Sequence, residues 1–489
     1  MSSCEWLRQH RFGLAAFLLP LALRAIPEII AGPYPIGWDT IAFYVPSTLD
    51  WAAGKDGFLF MIGEAPLLYM ISVPAYLVSR VDPVWIFKVL GPVLYGCMIL
   101  ALFRFLRLGL SWADRLAFTG SILTSLYFVT LRISWDLFRN ELGLIFVLLS
   151  IPFLPRPMDR KIKYILAVLG LLAVASNQFS AVIFLVLVGT RALSLSRKSF
   201  RDFLGLFKVA IPGIALLLFM IYAEFVSTGS SFPRQPPLAS SGEVDSSILA
   251  LVWAYLPIAP FSLLGMSKLR NGTLFAWVGV CVVATLVTSI PMWGLAALSY
   301  RWTILLSIPM MVFATIGILT LSEKAPSRMK MIAFFQRNLL KLFGIAIIML
   351  ACLYVFLPAQ EAFVYYGVYP SLIPTSMIQS TVPLSDMASL VRSLQWAAAN
   401  MKPGMALIAN ATIYGWARDY FPFQDRIVDY GYGISTRGIE MAVSAGYSSV
   451  IMIWWAYGEG WYGQAPILTT FVPVHRDGTM EVYVNLQMS

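Results

Sequence analysis

An aspartate that could act as a base, Asp39, lies in the segment PYPIGWDTIAFYV, directly after the first long apolar stretch. A carboxylate held there against Trp38 and Tyr44 would be partly desolvated, which suits it to take a proton from a hydroxyl group. The same position also suits a helix N-cap, because the run TIAFYV that follows is compatible with a helix. The sequence therefore offers two roles for Asp39, a general base or a cap.

A second charged cluster occurs in RISWDLFRNELG, which contains Arg132, Asp136, Arg139 and Glu141. Opposite charges at this spacing are typical of a salt-bridge network that neutralises itself. The topology derived below places the cluster beside the segment that carries Asp39. It is therefore also a candidate for binding or orienting a substrate.

Further polar candidates are Glu64 in GEAPLLYMI, Gln178 in SNQFSA and Arg301 in SYRWTILLSIP. Arg301 lies at the end of a later apolar stretch, where a guanidinium could hold a phosphate through two hydrogen bonds. The alternative is that Arg301 extends to ordinary lipid phosphates at the membrane surface. Both interpretations place this arginine at the level of lipid headgroups.

The composition shows what kind of chain must position these residues. Of its 489 residues, 59% are hydrophobic and 12% are charged, against roughly 25% charged residues in a soluble domain. A membrane protein is therefore predicted. The net charge of +10 does not indicate nucleic-acid binding, because the Lys and Arg residues lie in short clusters between apolar runs.

Histidine and cysteine usage excludes several kinds of site. The chain has two histidines, His10 and His475, so a histidine-rich metal site is excluded. Its four cysteines show no CxxC spacing, and three of them lie inside apolar runs. Neither a disulfide framework nor a zinc site is predicted, and any acid or base must be Asp or Glu.

Apolar stretches long enough to cross a bilayer recur along the first three quarters of the chain. By this criterion about eleven transmembrane helices are predicted, at residues 12–31, 83–106, 115–133, 140–155, 162–177, 179–195, 204–226, 248–266, 273–292, 303–321 and 340–358. Basic clusters fall in every second loop, which predicts a cytoplasmic N-terminus and an external C-terminus in the plasma membrane. Arg8 and Arg11 precede the first stretch without a suitable cleavage site, so an uncleaved first span is expected.

The first external loop is predicted at 32–82. Its apolar run 65–81 is not counted as a crossing, because counting it would invert every later loop, and Pro74 interrupts it. We expect a helix lying on the outer surface. A second external loop, 227–247, is rich in Ser, Pro and Gly and is expected to be mobile.

Residues 1–358 thus form a predicted transmembrane module, followed by a linker at 359–383 and a small extracytoplasmic α/β domain at 384–489. In that domain the patterns predict helices at 384–400, 411–421 and 436–446, buried strands at 405–410 and 449–455, and a C-terminal hairpin.

The order of these features resembles that of the GT-C glycosyltransferases, which include protein O-mannosyltransferases and the aminoarabinose transferase that modifies lipid A. Asp39 corresponds to the acidic position of the first loop, Ala65 to Tyr69 (APLLY) to a PPLLYW-type segment, and Ser299 to Trp302 (SYRW) to an RY-type segment. The WDLFRN run is similar to archaeal-type members. The resemblance covers about the first 360 residues, by order and topology more than by identity.

The sequence departs from the family pattern at two places. Asp39 is followed by Thr40, where many members have paired acids, which argues against a paired-carboxylate metal site. The segment WWAYGEGWYG at 454–463 is similar to the WWDYG signature of oligosaccharyltransferases, but Ala456 replaces its acidic residue.

The resemblance implies an inverting glycosyltransferase of the cell envelope that uses a polyprenyl-phosphate-linked sugar at the outer face. Arg301 and Tyr300 would bind the lipid phosphate, and Asp39 would deprotonate the acceptor hydroxyl of a lipid, a glycan or a protein. The residues expected to orient the acceptor or to support the site are Asp136, Arg139, Glu141, Glu64, Tyr69 and Gln178. The departing lipid phosphate needs no protonation. No cofactor is required in this interpretation, with a divalent cation at Asp136 and Glu141 as the alternative.

Two other functions remain open from the sequence. An oligosaccharyltransferase acting on asparagine would predict a divalent cation between Asp39 and Asp136. A transporter or flippase would predict broken helices and paired charges in the later spans. Those spans contain few charges apart from Lys208 and Glu224 near their ends, so the glycosyltransferase is preferred.

Overall fold

The computed structural model describes residues 3–156, 159–196, 199–228, 241–290, 296–323, 330–356, 382–431, 435–456, 459–460, 463–464 and 470–485. Most of the predicted external loop 227–247 and of the linker 359–383 lies outside these residues. So do Tyr457 and Gly458 of the WWAYGEGWYG segment.

The described part of the first 358 residues is helical. Its helices are α1 (Ser3–Ile30), α2 (Val45–Ala52), α3 (Phe58–Gly63), α4 (Leu67–Ser79), α5 (Pro83–Gly109), α6 (Asp114–Leu126), α7 (Phe128–Asp136), α8 (Phe138–Ser150), α9 (Arg160–Ser176), α10 (Gln178–Ser196), α11 (Phe200–Thr228), α12 (Ser241–Tyr255), α13 (Ala259–Lys268), α14 (Gly272–Thr288), α15 (Ala296–Leu305), α16 (Ser307–Glu323) and α17 (Lys330–Phe356).

Six helices in the described residues are long and apolar enough to cross a membrane, or up to eight if each bent pair counts as one span. The predicted number of eleven crossings is therefore not confirmed. The six are His10–Ile30, Pro83–Gly109, Gln178–Ser196, Phe203–Ser227, Ser299–Ser322 and Asn338–Phe356. The predicted crossings at 140–155, 162–177 and 273–292 correspond to helices of 13, 17 and 17 residues, which fall short of the roughly 20 residues that a bilayer requires.

Two predicted crossings are bent pairs of helices. The axes of α6 and α7 differ by 69°, and those of α12 and α13, taken from Ile248, by 79°. The first bend lies at Tyr127, whose extended backbone has a ψ of 125°. The Tyr127 hydroxyl donates to the carbonyl of Ala254 at the second bend, and Tyr255 donates to the carbonyl of Thr303 at 2.5 Å. Both bends are thereby tied to α15, which carries Arg301.

Buried charges join α1, α5 and α7. The Arg24 guanidinium donates to the Glu28 carboxylate at 2.7 Å, and to two carbonyls in the last turn of α7, Ser134 at 2.7 Å and Trp135 at 3.1 Å. Lys88 of α5 donates to the same carboxylate at 2.9 Å. Removing one partner from such a network would leave a buried charge without its counter-charge, which is strongly destabilising. The network therefore fixes the positions of α1, α5 and α7 relative to one another.

After α1 the chain enters the predicted external loop 32–82, which contains a helix that runs from Trp38 to Ala52, with a π-helical stretch at Thr40–Tyr44 before α2. Helix α4 lies against α2, where Thr48 Oγ1 and Ser72 Oγ are 2.9 Å apart. At 13 residues, α4 spans about 20 Å, which is too short for a crossing, in agreement with the prediction for 65–81.

The C-terminal residues form a small α/β domain. It contains α18 (Met387–Ala399), α19 (Ala411–Tyr420), α20 (Ser435–Ser444), β1 (Met405–Ala409), β2 (Ile427–Asp429), β3 (Ser449–Trp455), β4 (Glu459–Gly460), β5 (Gly463–Gln464), β6 (Val472–Asp477) and β7 (Met480–Asn485). The five-stranded sheet has the order β2-β1-β3-β7-β6, with β1 parallel to β2 and β3. The predicted helices, central strands and hairpin are confirmed; β2, β4 and β5 are additional.

The domain packs directly on the helix that runs from Trp38 to Ala52, in the predicted external loop. A Cβ at Gly415 of α19 would lie 2.9 Å from the Ile41 carbonyl oxygen, and Ile41 is part of the domain's apolar core. Arg418 donates to Asp50 of α2 at 2.5 Å. The helix that follows Asp39 is therefore held between the transmembrane helices and the C-terminal domain.

Candidate functional site

Asp39 and Arg301 form an ion pair, although 262 residues separate them in sequence. Arg301 Nη2 donates to Asp39 Oδ2 at 3.0 Å, and the two side chains are 17% and 8% exposed. The Tyr44 hydroxyl lies 3.4 Å from the same carboxylate oxygen. Both contacts are to Oδ2, and the second oxygen, Oδ1, accepts no hydrogen bond from the described residues.

The helix that begins at Trp38 is capped by Asp136 and not by Asp39. Asp136 Oδ2 accepts from the backbone N–H of Trp38 at 2.8 Å and of Asp39 at 3.3 Å. The side chain of Asp39 makes no capping hydrogen bond. The N-cap interpretation of Asp39 is therefore wrong, and the carboxylate that performs this task comes from 97 residues further along the chain.

Asp136 itself is held from two sides. Its other oxygen, Oδ1, pairs with Arg132 one helical turn earlier on α7. The last turn of α7 is fixed by Arg24, which binds the carbonyls of Ser134 and Trp135. A chain of buried contacts thus runs from α1 through α7 to the backbone of Asp39.

Gly37 makes the close approach of Asp136 possible. It has a φ of +86°, and a Cβ at this position would lie 2.3 Å from the Asp136 Cβ. Both the left-handed backbone and the contact require glycine. Sequence reasoning did not identify Gly37, although its place in the segment IGWD was the available signal.

Arg301 is surrounded by aromatic rings. Its Nε donates to the Tyr300 hydroxyl at 3.1 Å, and the guanidinium carbon lies 5.8 Å from the ring centres of both Tyr300 and Phe179. Its third nitrogen, Nη1, has no hydrogen-bond partner in the described residues. Since an arginine presents its donors as a planar fork, Nη1 and Nη2 together could hold one phosphate.

Arg139, Glu64 and Tyr69 lie on the other side of Tyr44. Arg139 Nη1 donates to the Glu64 carbonyl at 2.6 Å and to its carboxylate at 3.1 Å, and the guanidinium lies over the Tyr44 ring at 5.5 Å. Tyr69 is fully buried and packs on Trp51, with ring centres 4.7 Å apart. These side chains contact Tyr44 or the core beside it, not the Asp39 carboxylate.

Gln178 and Glu141 lie away from the ion pair. Gln178 Nε2 donates to Glu224 at 3.3 Å, while its neighbour Phe179 faces Arg301. Glu141 is fully buried, and its two carboxylate oxygens have no partner in the described residues. The structure therefore brings together Asp39, Arg301, Tyr300 and Asp136. Arg139 and Glu64 pair with each other beside Tyr44 and do not contact the Asp39 carboxylate.

In the described residues there is no group of three or more His, Cys, Asp or Glu side chains arranged to hold a metal ion. The Asp136 carboxylate is already engaged by Arg132 and by two backbone N–H groups. A cation bridging Asp39 and Asp136 would have to displace those donors. Independence from a metal cofactor stays a prediction.

No family model matches the sequence, and no curated protein matches it. Solved structures do match. One is ArnT from Cupriavidus metallidurans bound to undecaprenyl phosphate, with a TM-score of 0.53 and 12% identity over 99% of this chain and 98% of that one. Another is the arabinofuranosyltransferase AftD from Mycobacteria, with a TM-score of 0.51 and 14% identity, where 97% of this chain spans 40% of that chain.

At these identities the likeness is one of fold. Together with the apolar helices, this shared fold supports an integral membrane protein. The archaeal-type assignment and the side of the membrane on which each terminus lies stay predictions.

Proposed function

We propose that this protein is a glycosyltransferase that moves a sugar from a polyprenyl-phosphate-linked donor to an acceptor hydroxyl at the outer face of the membrane. The observation that carries the proposal is the ion pair between Asp39 and Arg301, at 3.0 Å. The fold supports it, because ArnT, which has this fold, has been crystallised with undecaprenyl phosphate.

In this proposal Arg301 binds the phosphate of the lipid donor. Its free Nη1 and its Nη2 would form two charge-assisted bonds to phosphate oxygens. Tyr300 fixes the guanidinium through Nε. The aromatic faces of Tyr300 and Phe179 exclude water on two sides, which strengthens the attraction between the guanidinium and the phosphate.

Asp39 is the proposed base. The acceptor hydroxyl gives its proton to the carboxylate, its oxygen forms a bond to the anomeric carbon, and the bond from that carbon to the phosphate oxygen breaks with its electron pair leaving on the phosphate. A single displacement of this kind inverts the anomeric configuration. One carboxylate is enough, since the leaving phosphate needs no proton, whereas glycosidases that expel an alcohol need two.

The ion pair links the two steps. In the structure Asp39 Oδ2 accepts a hydrogen bond from Arg301 Nη2, which is one of the donors that a phosphate would use. A bound donor therefore competes with Asp39 for the guanidinium and leaves the carboxylate free for the acceptor. In this mechanism Asp136 acts as a positioning residue, because it touches the backbone of Asp39 and neither substrate.

The distribution of buried charges favours this function over transport. Two bent helix pairs are present, as a transporter would also require. Yet within the described part of residues 1–358, every fully buried charged side chain lies between Arg24 and Glu141. Apart from Arg301, which pairs with Asp39 of the predicted external loop, no salt bridge involves a residue of α9 to α17 among the described residues, whereas a coupling-ion site would need paired charges there.

A donor-consumption assay tests the proposal. The purified full chain is incubated with a panel of undecaprenyl-phosphate sugars and a cell-envelope extract as acceptor, and the release of undecaprenyl phosphate is measured. We expect release from at least one donor, and release slower by at least about a hundredfold with Asp39→Asn. If undecaprenyl phosphate does not bind and no donor is consumed, the proposal is wrong.

A further inference from the structure

A cavity of about 770 Å³ lies between α2 and α19, where the first external segment meets the C-terminal domain. Side chains of both parts line it, including Asp50, Tyr414, Arg418, Asp419, Tyr420 and Phe421. A second cavity of about 300 Å³ extends toward α4 and α5, with Tyr76, Arg80 and Asp82 in its wall. The larger volume is within the range of small-molecule sites, roughly 300–1,000 Å³.

Asp419 lines both cavities and is incompletely bonded. Its two carboxylate oxygens are buried and accept no hydrogen bond from the described residues. Buried polar atoms of folded proteins nearly always have a partner. An unbonded carboxylate in the wall between two cavities therefore indicates a ligand that supplies hydrogen-bond donors.

The charges around the cavities indicate that the ligand is uncharged. Three carboxylates face three cations in the two walls, namely Asp50, Asp82 and Asp419 against Lys55, Arg80 and Arg418. An anion would meet the carboxylates, and a cation would meet the guanidinium and ammonium groups. A neutral ligand with several hydroxyl groups can donate to the carboxylates and accept from the cations.

Besides these charged groups, the cavities contain aromatic side chains, which suit them to carbohydrates. Tyr414, Tyr420 and Phe421 line the larger cavity, and Tyr76 the smaller one. Aromatic rings bury apolar surface, while tyrosine hydroxyls keep a polar group at the rim. The apolar C–H face of a pyranose or furanose ring fits such a surface, and its hydroxyl edge fits the charged residues.

The cavity lies on the helix that also carries the proposed base. Asp39 and Asp50 are at opposite ends of the stretch from Trp38 to Ala52, about 16 Å apart at 1.5 Å per residue. We propose that the cavities between α2, α4 and α19 bind the neutral oligosaccharide part of the acceptor, whose reacting hydroxyl reaches Asp39. The acceptor role rests on the glycosyltransferase function proposed above.

A glycan array tests this site directly. The purified full chain in detergent is applied to an array of neutral and anionic oligosaccharides, whose dense display registers weak binding through multivalency. We expect retention of neutral oligosaccharides and at least a tenfold lower signal with Asp419→Leu. Arg392→Ala, in the same domain but paired with Asp477 away from the cavity, should bind like the wild type.

A melting curve shows that the lost binding is not a folding defect. Asp419→Leu removes a buried carboxylate that has no partner, so this variant should melt at or above the wild-type temperature. If the wild type binds no neutral glycan, or if Asp419→Leu binds as well as the wild type, the cavity is not the site.

The two proposals can fail separately. Asp39→Asn should retain glycan binding, since Asp39 does not line the cavity. Donor consumption without glycan binding would overturn the subsite alone. Glycan binding that depends on Asp419, without consumption of any donor, would keep the carbohydrate site and overturn its role in glycosyl transfer.

Discussion

At the scale of single residues, the proposed mechanism depends on Arg301, which pairs with the Asp39 carboxylate and would also bind the phosphate of the donor. For Arg301→Ala we expect weaker binding of undecaprenyl phosphate by about tenfold to a hundredfold, because a hydrogen bond to a charged group contributes about 1.5–3 kcal/mol. Arg301→Lys keeps the charge but loses the planar fork, so its affinity should lie between those of the wild type and of Arg301→Ala. Native mass spectrometry of lipid titrations measures all three, and equal affinities would remove Arg301 from the donor site.

Asp39 gives a prediction that separates catalysis from binding. Asp39→Asn keeps the shape of the side chain but cannot take a proton, so donor consumption should fall by roughly a hundredfold to ten-thousandfold. Binding of undecaprenyl phosphate should stay equal or become tighter, since the competing negative charge beside Arg301 is gone. A variant that consumes donor at the wild-type rate would contradict the role of Asp39 as base.

Asp419 predicts a pH dependence of stability in the absence of ligand. Burial raises the pKa of its carboxyl group well above the ordinary value, with smaller contributions from Asp82 and Asp50 and opposition from Arg418. The folded chain then holds this proton to a higher pH than the unfolded chain, so the contribution of Asp419 to the free energy of unfolding falls as pH rises above about 3.9.

Comparison with Asp419→Asn isolates this effect, because asparagine does not titrate. The variant should melt at a higher temperature than the wild type at pH 7, and the difference should shrink as the pH is lowered toward 4. Thermal denaturation monitored by tryptophan fluorescence over this range measures the difference. A difference that does not change with pH would show that the Asp419 carboxyl is unperturbed.

At the scale of elements, the site depends on the position of the helix that begins at Trp38 and is capped by Asp136. Gly37→Ala would place a methyl group 2.3 Å from the Asp136 Cβ, whereas Gly32→Ala at a φ of +61° meets nothing within 4 Å. Both substitutions force alanine into a left-handed backbone, which costs about 1–2 kcal/mol. Only Gly37→Ala should displace the cap and Asp39.

We therefore expect Gly37→Ala to melt at a lower temperature than Gly32→Ala, and only Gly37→Ala to lose donor consumption, by at least tenfold. Equal activities would show that the contact between Gly37 and Asp136 does not position the base. This comparison separates backbone strain from the loss of the cap.

The sequence predicted the positions of helices and strands better than the bends between helices. Alternating and helical patterns located the strand Ser449–Trp455 and the helix Ala411–Tyr420 correctly. The bend at Tyr127 was not predicted. Hydropathy reports how apolar a segment is, and not the contacts that its residues make with distant parts of the chain, such as the hydrogen bond from Tyr127 to the carbonyl of Ala254, 127 residues away.

The same limit applies to the site. Residue types identified Asp39, Asp136 and Arg301 as candidates, since charges near an apolar stretch are costly and stand out. That Asp136 and not Asp39 caps the helix depends on three-dimensional proximity. The cavity at Asp419 was missed for this reason too, because its walls come from two separate parts of the chain.

At the scale of the whole molecule, the position of the C-terminal domain follows from its packing on the helix that runs from Trp38 to Ala52. Both must lie on the same side of the membrane, and the basic clusters predict that this side is external. Cysteine introduced at the exposed Ser444 should react with an impermeant maleimide in intact cells. Labelling only after lysis would place the domain, the ion pair and the cavity on the cytoplasmic side.

The distance in sequence between Asp39 and Arg301 also has a consequence for how the protein is made. A ribosome adds about 5–20 residues per second, so about 10–50 s pass after Asp39 is synthesised before Arg301 exists. During that time Asp39 has Tyr44 nearby but no cation to pair with, and the helix that begins at Trp38 lacks its cap until Asp136 has been made. The proposed donor site therefore cannot form before α15 is synthesised, and a nascent chain that stops earlier has membrane helices but no arginine to hold a lipid phosphate beside Asp39.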